Sequence, residues 1–314
     1  MDFDPRDIDT RERDDFHVEE VRWGEDPRDL DDREREFERD RDPKDHDPRE
    51  PFIESLELPR YPQRELVQDE RENLYELNRD DSLMLGTIGA FRVIDERELL
   101  DFHDAERSLD HLRDEGLIET VQLGAGERAD TLTERGLSVL EANRRERDDD
   151  PRDRDDDERQ AFHAGVARER ELQHDADLFR AYREVEREIR DRGGEVQGIV
   201  LEVDLRREYQ QFLQEHNRGR SDSDGRPDRT DREIADWAHE HDLPYRDGSV
   251  QFPDFRIEYE LDGRDRYEDV EVVTGHYRGA HAAGRAASGF RCVRGGSSSY
   301  GSSPFDPHAA EDYV

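Results

Sequence analysis

The 314 residues include 87 acidic against 49 basic side chains, a net charge of −38, and only 31% are hydrophobic. That balance excludes a core running the whole length of the chain, and it argues against, without excluding, a phosphate-binding surface, which needs clustered cations. A single cysteine, Cys292, excludes an internal disulfide. It fits a reducing cytoplasm, and no apolar run reaches the length of a membrane span, so the sequence reads as cytoplasmic with no membrane partner.

Residues 1–51 are mostly Asp, Glu and Arg, as in RERDD and DDREREFERDRD. Phe16, Val18, Val21 and Trp23 are too few to offset the entropy of ordering, which predicts a disordered acidic arm. Residues 52–80 carry Ile53, Leu56, Leu58, Leu66, Val67, Leu74, Tyr75 and Leu77, interrupted by Pro59 and Pro62. They read as a lead-in segment packing on the next domain.

Residues 81–147 are the best patterned. Leu83, Leu85, Ile88, Phe91 and Val93 predict an apolar first helix. Asp95 is the expected N-cap of a short second helix with Leu99 and Leu100 inward. Asp104 is the expected N-cap of a third, Ala105 to Glu115, ended by Gly116. GLIETVQL, GAGE and RADTL then give strand, turn and strand, and TERGLSVLEANRRER a closing helix.

This order is that of a winged helix-turn-helix. The run RSLDHLRDEGLIETVQL…TLTERGLSVL resembles many such domains, with their LT-x-x-G signature. Docking of the third helix in a major groove would offer Arg107, His111 and Arg113, with Arg128 from the wing, as DNA-binding residues. Their neighbours Glu106, Asp110 and Asp114 would repel phosphate.

A charged linker, 148–158, leads into 159–294. Leu178, Tyr182, Val185 and Ile189 recur at helical spacing up to Arg192. EVQGIVLEVDL has the β-branched content of a strand, and DLRREYQQFLQEHN puts Leu205, Tyr209, Phe212, Leu213 and His216 on one helical face. Thr230 and Glu233 form a capping box for a helix burying Ile234, Trp237 and Ala238.

From Phe252 to Val293 the pattern is strand, turn, strand, small-residue helix and short strand, with Asp262-Gly263 as the hairpin turn. The Gly/Ser-rich tail, 295–314, reads as flexible.

The stretch from Phe252 to Val293 has the layout of a metal-dependent nuclease core. Asp254 opens one strand and Glu271 lies on the next, where two carboxylates would hold Mg²⁺ to activate water. Asp269 with Glu271 is the alternative pair, since residues two apart share a strand face.

The lysine such a core needs two positions after the second acid is here Val273, and Lys44 is the only lysine in the chain. Arg278 or Arg285 could supply charge there, but arginine does not readily give up a proton. His276 and His281 lack the spacing of a metal site. Acids on strands are also expected by chance in a protein this acidic.

Together, the winged helix, ERELQHDADLFRAYRE, IVLEVDLRREY and PDFRIEYELDG…EDVEVVTGHYRGAHAAGRAASGF resemble the replication-relaxation family, over about Asp81 to Arg294. The resemblance implies an α+β chain: a winged helix followed by an α/β restriction-endonuclease-like domain. It implies a DNA-linked role on a plasmid or conjugative element, and marks His174, Asp175, Asp254 and Glu271.

Three functions are then in view. One is a non-catalytic, DNA-binding accessory protein of replication or relaxosome-type processing that needs no cofactor. A second is a Mg²⁺-dependent nuclease using Asp254 and Glu271. The third is an interaction module for a relaxase or another basic DNA-processing protein.

Overall fold

The computed structural model describes residues 46–124, 126–145, 160–217, 229–273 and 288–295. The acidic arm up to residue 45, the charged linker, the small-residue helix with His276, Arg278, His281 and Arg285, and the tail beyond Gly295 lie outside them. The unit that begins at Pro48 is mixed α and β.

A short turn of helix at Glu50–Ile53 precedes a hairpin of β1 (Glu65–Gln68) and β2 (Leu74–Leu77). α1 (Arg79–Phe91) starts at a capping box: the Asn78 side chain accepts from Asp81 N–H, and Asp81 accepts in return from the Asn78 backbone. Every residue of α1 from Asp81 on is buried, as expected for a helix apolar on several faces.

α1 ends earlier than the sequence suggests. Arg92 takes a positive φ of 68°, and Val93 begins β3 (Val93–Asp95). A non-glycine residue in that region carries no sequence signal. α2 (Glu96–Leu99) is capped by Asp95, whose carboxylate accepts from Arg97 N–H at 2.9 Å, but Leu100 is 46% exposed and does not point inward.

α3 (Ala105–Asp114) follows Asp104, which is left-handed and makes no side-chain cap bond. Then come β4 (Ile118–Gly124), β5 (Glu127–Leu132) and α4 (Glu134–Ala142), with β3, β5 and β4 forming one antiparallel sheet.

The LT-x-x-G run now has a physical reading. Thr133 caps α4 by accepting from Gly136 N–H, and its hydroxyl donates to Gly116 O at 2.7 Å. A Cβ at position 136 would lie 2.1 Å from Leu117 O, so only glycine lets α4 approach the strand so closely.

The second half opens on α5 (Leu172–Asp191), then β6 (Glu195–Leu201) and α6 (Glu202–Gln214). The EVDL segment expected to extend the strand is helical instead, and Glu202 N–H, which has no partner within the helix, donates to Asp254 O. α7 (Asp231–Glu240) carries the expected Thr230–Glu233 capping box.

A two-stranded ribbon of β7 (Tyr245–Arg246) and β8 (Ser249–Val250) leads to β9 (Phe255–Glu260), β10 (Asp265–Val273) and β11 (Arg291–Arg294). Asp262 and Gly263 both have positive φ, as a tight hairpin turn requires. The sheet order is β11-β10-β9-β6, parallel between β10 and β11 and antiparallel elsewhere.

One hydrophobic cluster runs through both halves, from Phe52 and Leu83 to Ile257 and Val270. At its centre the Phe91 ring lies 5.1 Å from Phe179 and 5.2 Å from Tyr182, with Phe52 5.3 Å from both Phe91 and Tyr182. Such aromatic contacts each add about 0.5–1.5 kcal/mol beyond area burial. Among the described residues no helix is long and apolar enough to cross a membrane.

Candidate functional site

β9 and β10 bring the acids of the sequence reading to one end of the sheet. Asp254 immediately precedes β9, and its backbone N–H donates to Val270 O. Its carboxylate is held at both oxygens: Oδ2 accepts from Val272 N–H at 2.6 Å, and Oδ1 lies 3.2 Å from His174 Nε2. His174 comes from the first turn of α5, so a helix and two strands meet here. Glu271, on β10, is fully buried.

Burial works against a charged His174 ring, but the hydrogen bond and charge of Asp254, with Asp175 and Glu271, outweigh it and raise the pKa to about 9. Burial raises the Asp175 carboxyl, while His174 and Arg92 pull it down.

Asp269 stands apart from this group. It forms a two-pronged pair with its cross-strand partner Arg256, at 2.7 and 3.1 Å. Arg256 also donates to His241 O and Asp242 O, so the pair fastens the end of α7 to the sheet.

A divalent cation at Asp254 would have to displace His174, with the buried Glu271 as the other acid of the expected pair. Both Asp254 oxygens are engaged by the protein, and Asp269 is committed to Arg256. Among the described residues, the three-ligand groups with donor atoms within 4.8 Å of one another come down to Asp80, His103 and Asp104, half-buried or exposed and far in sequence from Asp254. The position two after Glu271 is the half-buried Val273, and the protonated His174 is the cation that faces Asp254.

The four basic residues expected to meet DNA are not alike. Arg113 is turned inward: it donates to both oxygens of the fully buried Asp130 (2.9 and 2.8 Å) and to Glu96 at 2.7 Å. Thr120 also donates to Asp130, and burial raises that carboxyl's pKa. His111 lies 2.7 Å from Arg64 Nη1 and 2.8 Å from Glu76 O, against the hairpin. Arg128 pairs with Glu96 at 2.6 Å but is 53% exposed. Arg107 is exposed on α3.

Sequence reasoning missed a second buried pair. Residues 160–165 thread between the halves, where His163 N–H donates to Gly89 O and Gly165 N–H to Leu132 O. The His163 ring meets Asp204 Oδ2 at 3.0 Å, and Arg92 lies 3.4 Å from its other nitrogen. A lone histidine beside a charged linker gives no sign of such a partner.

Comparison of the chain with family models, with curated proteins and with solved structures returns no match.

The geometry has two measurable consequences. Arg113→Ala leaves the Asp130 carboxylate buried without its counter-ion, which costs about 3–5 kcal/mol. Urea unfolding should show that loss; a change under about 1 kcal/mol, the scale of a surface residue, would mean the pair is dispensable.

His174 has a folded pKa of about 9 against an unfolded value near 6.5. Its stabilisation is therefore complete below about pH 6.5, declines above it, and is gone once pH passes the folded value. The melting temperature should fall from pH 6 to pH 9.5 by more in the wild type than in His174→Asn. Equal falls would contradict the pairing with Asp254.

Proposed function

We propose that this chain is a non-catalytic accessory protein of DNA processing that works by docking a basic partner protein on α3. The order α1, β3, α2, α3, β4, β5, α4 around an antiparallel three-stranded sheet supports a winged helix-turn-helix in the first half. In the second half, α5 packed on the mixed sheet β6, β9, β10, β11 supports a restriction-endonuclease-like core. The replication-relaxation resemblance adds a mobile-element setting and a cytoplasmic one.

The observation that carries the reading is the outward face of α3. Its exposed residues are Glu106, Arg107, Asp110 and Asp114, three acids to one base, while Arg113 is turned to Asp130 and Glu96 and touches Asp110 at 3.2 Å. The third helix is the element a winged helix presents to its ligand. Opposed to a DNA backbone, with one negative charge per about 1.7 Å, such a face is repelled. Opposed to a basic protein it is complementary, which favours fast and selective encounter. A relaxase or another basic DNA-processing protein has that chemistry.

The non-catalytic part of the reading rests on Asp254. A carboxylate already holding a backbone N–H and a charged imidazole is poorly disposed to bind Mg²⁺. Val273 offers neither charge nor proton in the position a water-activating lysine would take. Asp254 and Glu271 thus read as structural acids of a nuclease-like frame.

Affinity purification of the full chain from cells carrying the element tests the docking. The expected result is recovery of a basic protein in near-equal amount, lost when Glu106, Asp110 and Asp114 are all changed to Lys in a chain that still melts cooperatively. Recovery of nothing, or recovery that survives the charge reversal, would contradict it.

A further inference from the structure

The exposed residues of α6 are Arg206, Arg207, Gln210 and Gln211, without a single acid. In a chain of net charge −38 this is an unusual stripe. Among the described residues, α3, α4, α5 and α7 each expose at least one Asp or Glu, α1 exposes no residue at all, and the four-residue α2 exposes Arg97 alone. The sequence puts the apolar side chains of α6 on the other side, where Leu205 and Leu213 are buried and Tyr209 packs 5.0 Å from Trp237.

We infer that α6 is a docking surface for duplex DNA, contacted through Arg206, Arg207, Gln210 and Gln211. Arginine contacts phosphate oxygens and guanine edges, and glutamine contacts adenine edges. The stripe covers about 8 Å of helix axis, a length that enters a major groove about 12 Å wide.

Both arginines are held ready. Arg206 donates to Glu202 at 2.9 and 2.7 Å and lies 4.8 Å from the centre of the Phe252 ring. Arg207 donates to Asp204 at 2.9 Å. Their side chains nevertheless remain 53% and 56% exposed. The Arg206–Glu202 pair is exposed on both sides and contributes about 0–1 kcal/mol, so exchanging its carboxylate for a phosphate costs little, whereas Asp204 is buried and Arg207 would keep that contact.

The opposite balance on α3 makes the two helices complementary in what they attract. α6 also begins where Glu202 N–H meets Asp254 O, which puts the stripe next to the nuclease-like end of the sheet. DNA docked there leaves α3 open to a protein, so this contact stands or falls separately from the partner.

Fluorescence anisotropy of a labelled random-sequence duplex, titrated with the full chain at 50 and 200 mM salt, tests it. Binding should appear at the lower salt and weaken at the higher. Arg206→Glu with Arg207→Glu should weaken it by about tenfold or more, since two phosphate contacts become repulsive. Arg206→Gln with Arg207→Gln should weaken it less, and serves if the reversed charges impair folding.

Arg107→Glu with Arg128→Glu should leave binding within about twofold, because neither lies on the DNA face. No duplex binding by the wild type, loss through Arg107 and Arg128 instead, or tighter binding of a single strand than of the duplex would each overturn the inference. Partner recovery through α3 that persists in the α6 variants separates this result from the docking.

Discussion

The packing of Phe179 and Tyr182 on Phe91 sets the position of nearly everything else. α5 is 20 residues long, about 30 Å, and is buried on two sides, against α1 and β3 and against β6, β9 and β10. The aromatic node fixes its rotation and height. Just over a turn before Phe179, the same helix delivers His174 to Asp254. The site at the end of the sheet is therefore built by the junction between the two halves, and the buried His163–Asp204 contact closes that junction from the other side.

Charge obeys the same logic. With 49 basic residues against 87 acids, cations are scarce, and the fold commits several of the best placed to internal pairs. Arg113 neutralises Asp130 and Glu96, Arg256 neutralises Asp269, and Arg183 bridges Glu98 and Asp101. Arginine suits this work because one planar guanidinium satisfies several oxygens at once. Among the described residues, exposed acids outnumber exposed arginines. A helix whose outward residues escape that rule, as α6 does, stands out against the background.

Much of the local structure was legible in the residues. The Asp95 cap, the Thr230–Glu233 box, the Asp262-Gly263 turn and the two strands around it depend on neighbours within a few positions, where sequence rules act. Other features were set at a distance. The end of α1 at Arg92 needs a positive φ at an arginine, and the hairpin of β1 and β2 turns through Glu72 at φ 65°, with an asparagine only at the next position. At the start of α6 the Glu202 N–H finds its acceptor, Asp254 O, 52 positions away.

The candidate site shows the same division. Asp254 and Glu271 could be picked out by their strand positions, and His174 by resemblance. That Arg113 would face Asp130, 17 positions away, could not be read from α3 alone. An aspartate placed in a strand between Ala129 and Thr131 was the available hint, since Asp is unfavourable there unless a partner offsets its burial.

On the proposed reading Asp254 serves the fold, with His174 as its counter-ion, and not a metal-activated cleavage. Incubating the purified chain with supercoiled plasmid in Mg²⁺ and, separately, in Mn²⁺ tests this most directly, with Asp254→Asn alongside. The expected result is plasmid that stays supercoiled with both proteins and both ions. Nicking by the wild type that disappears in Asp254→Asn would contradict it.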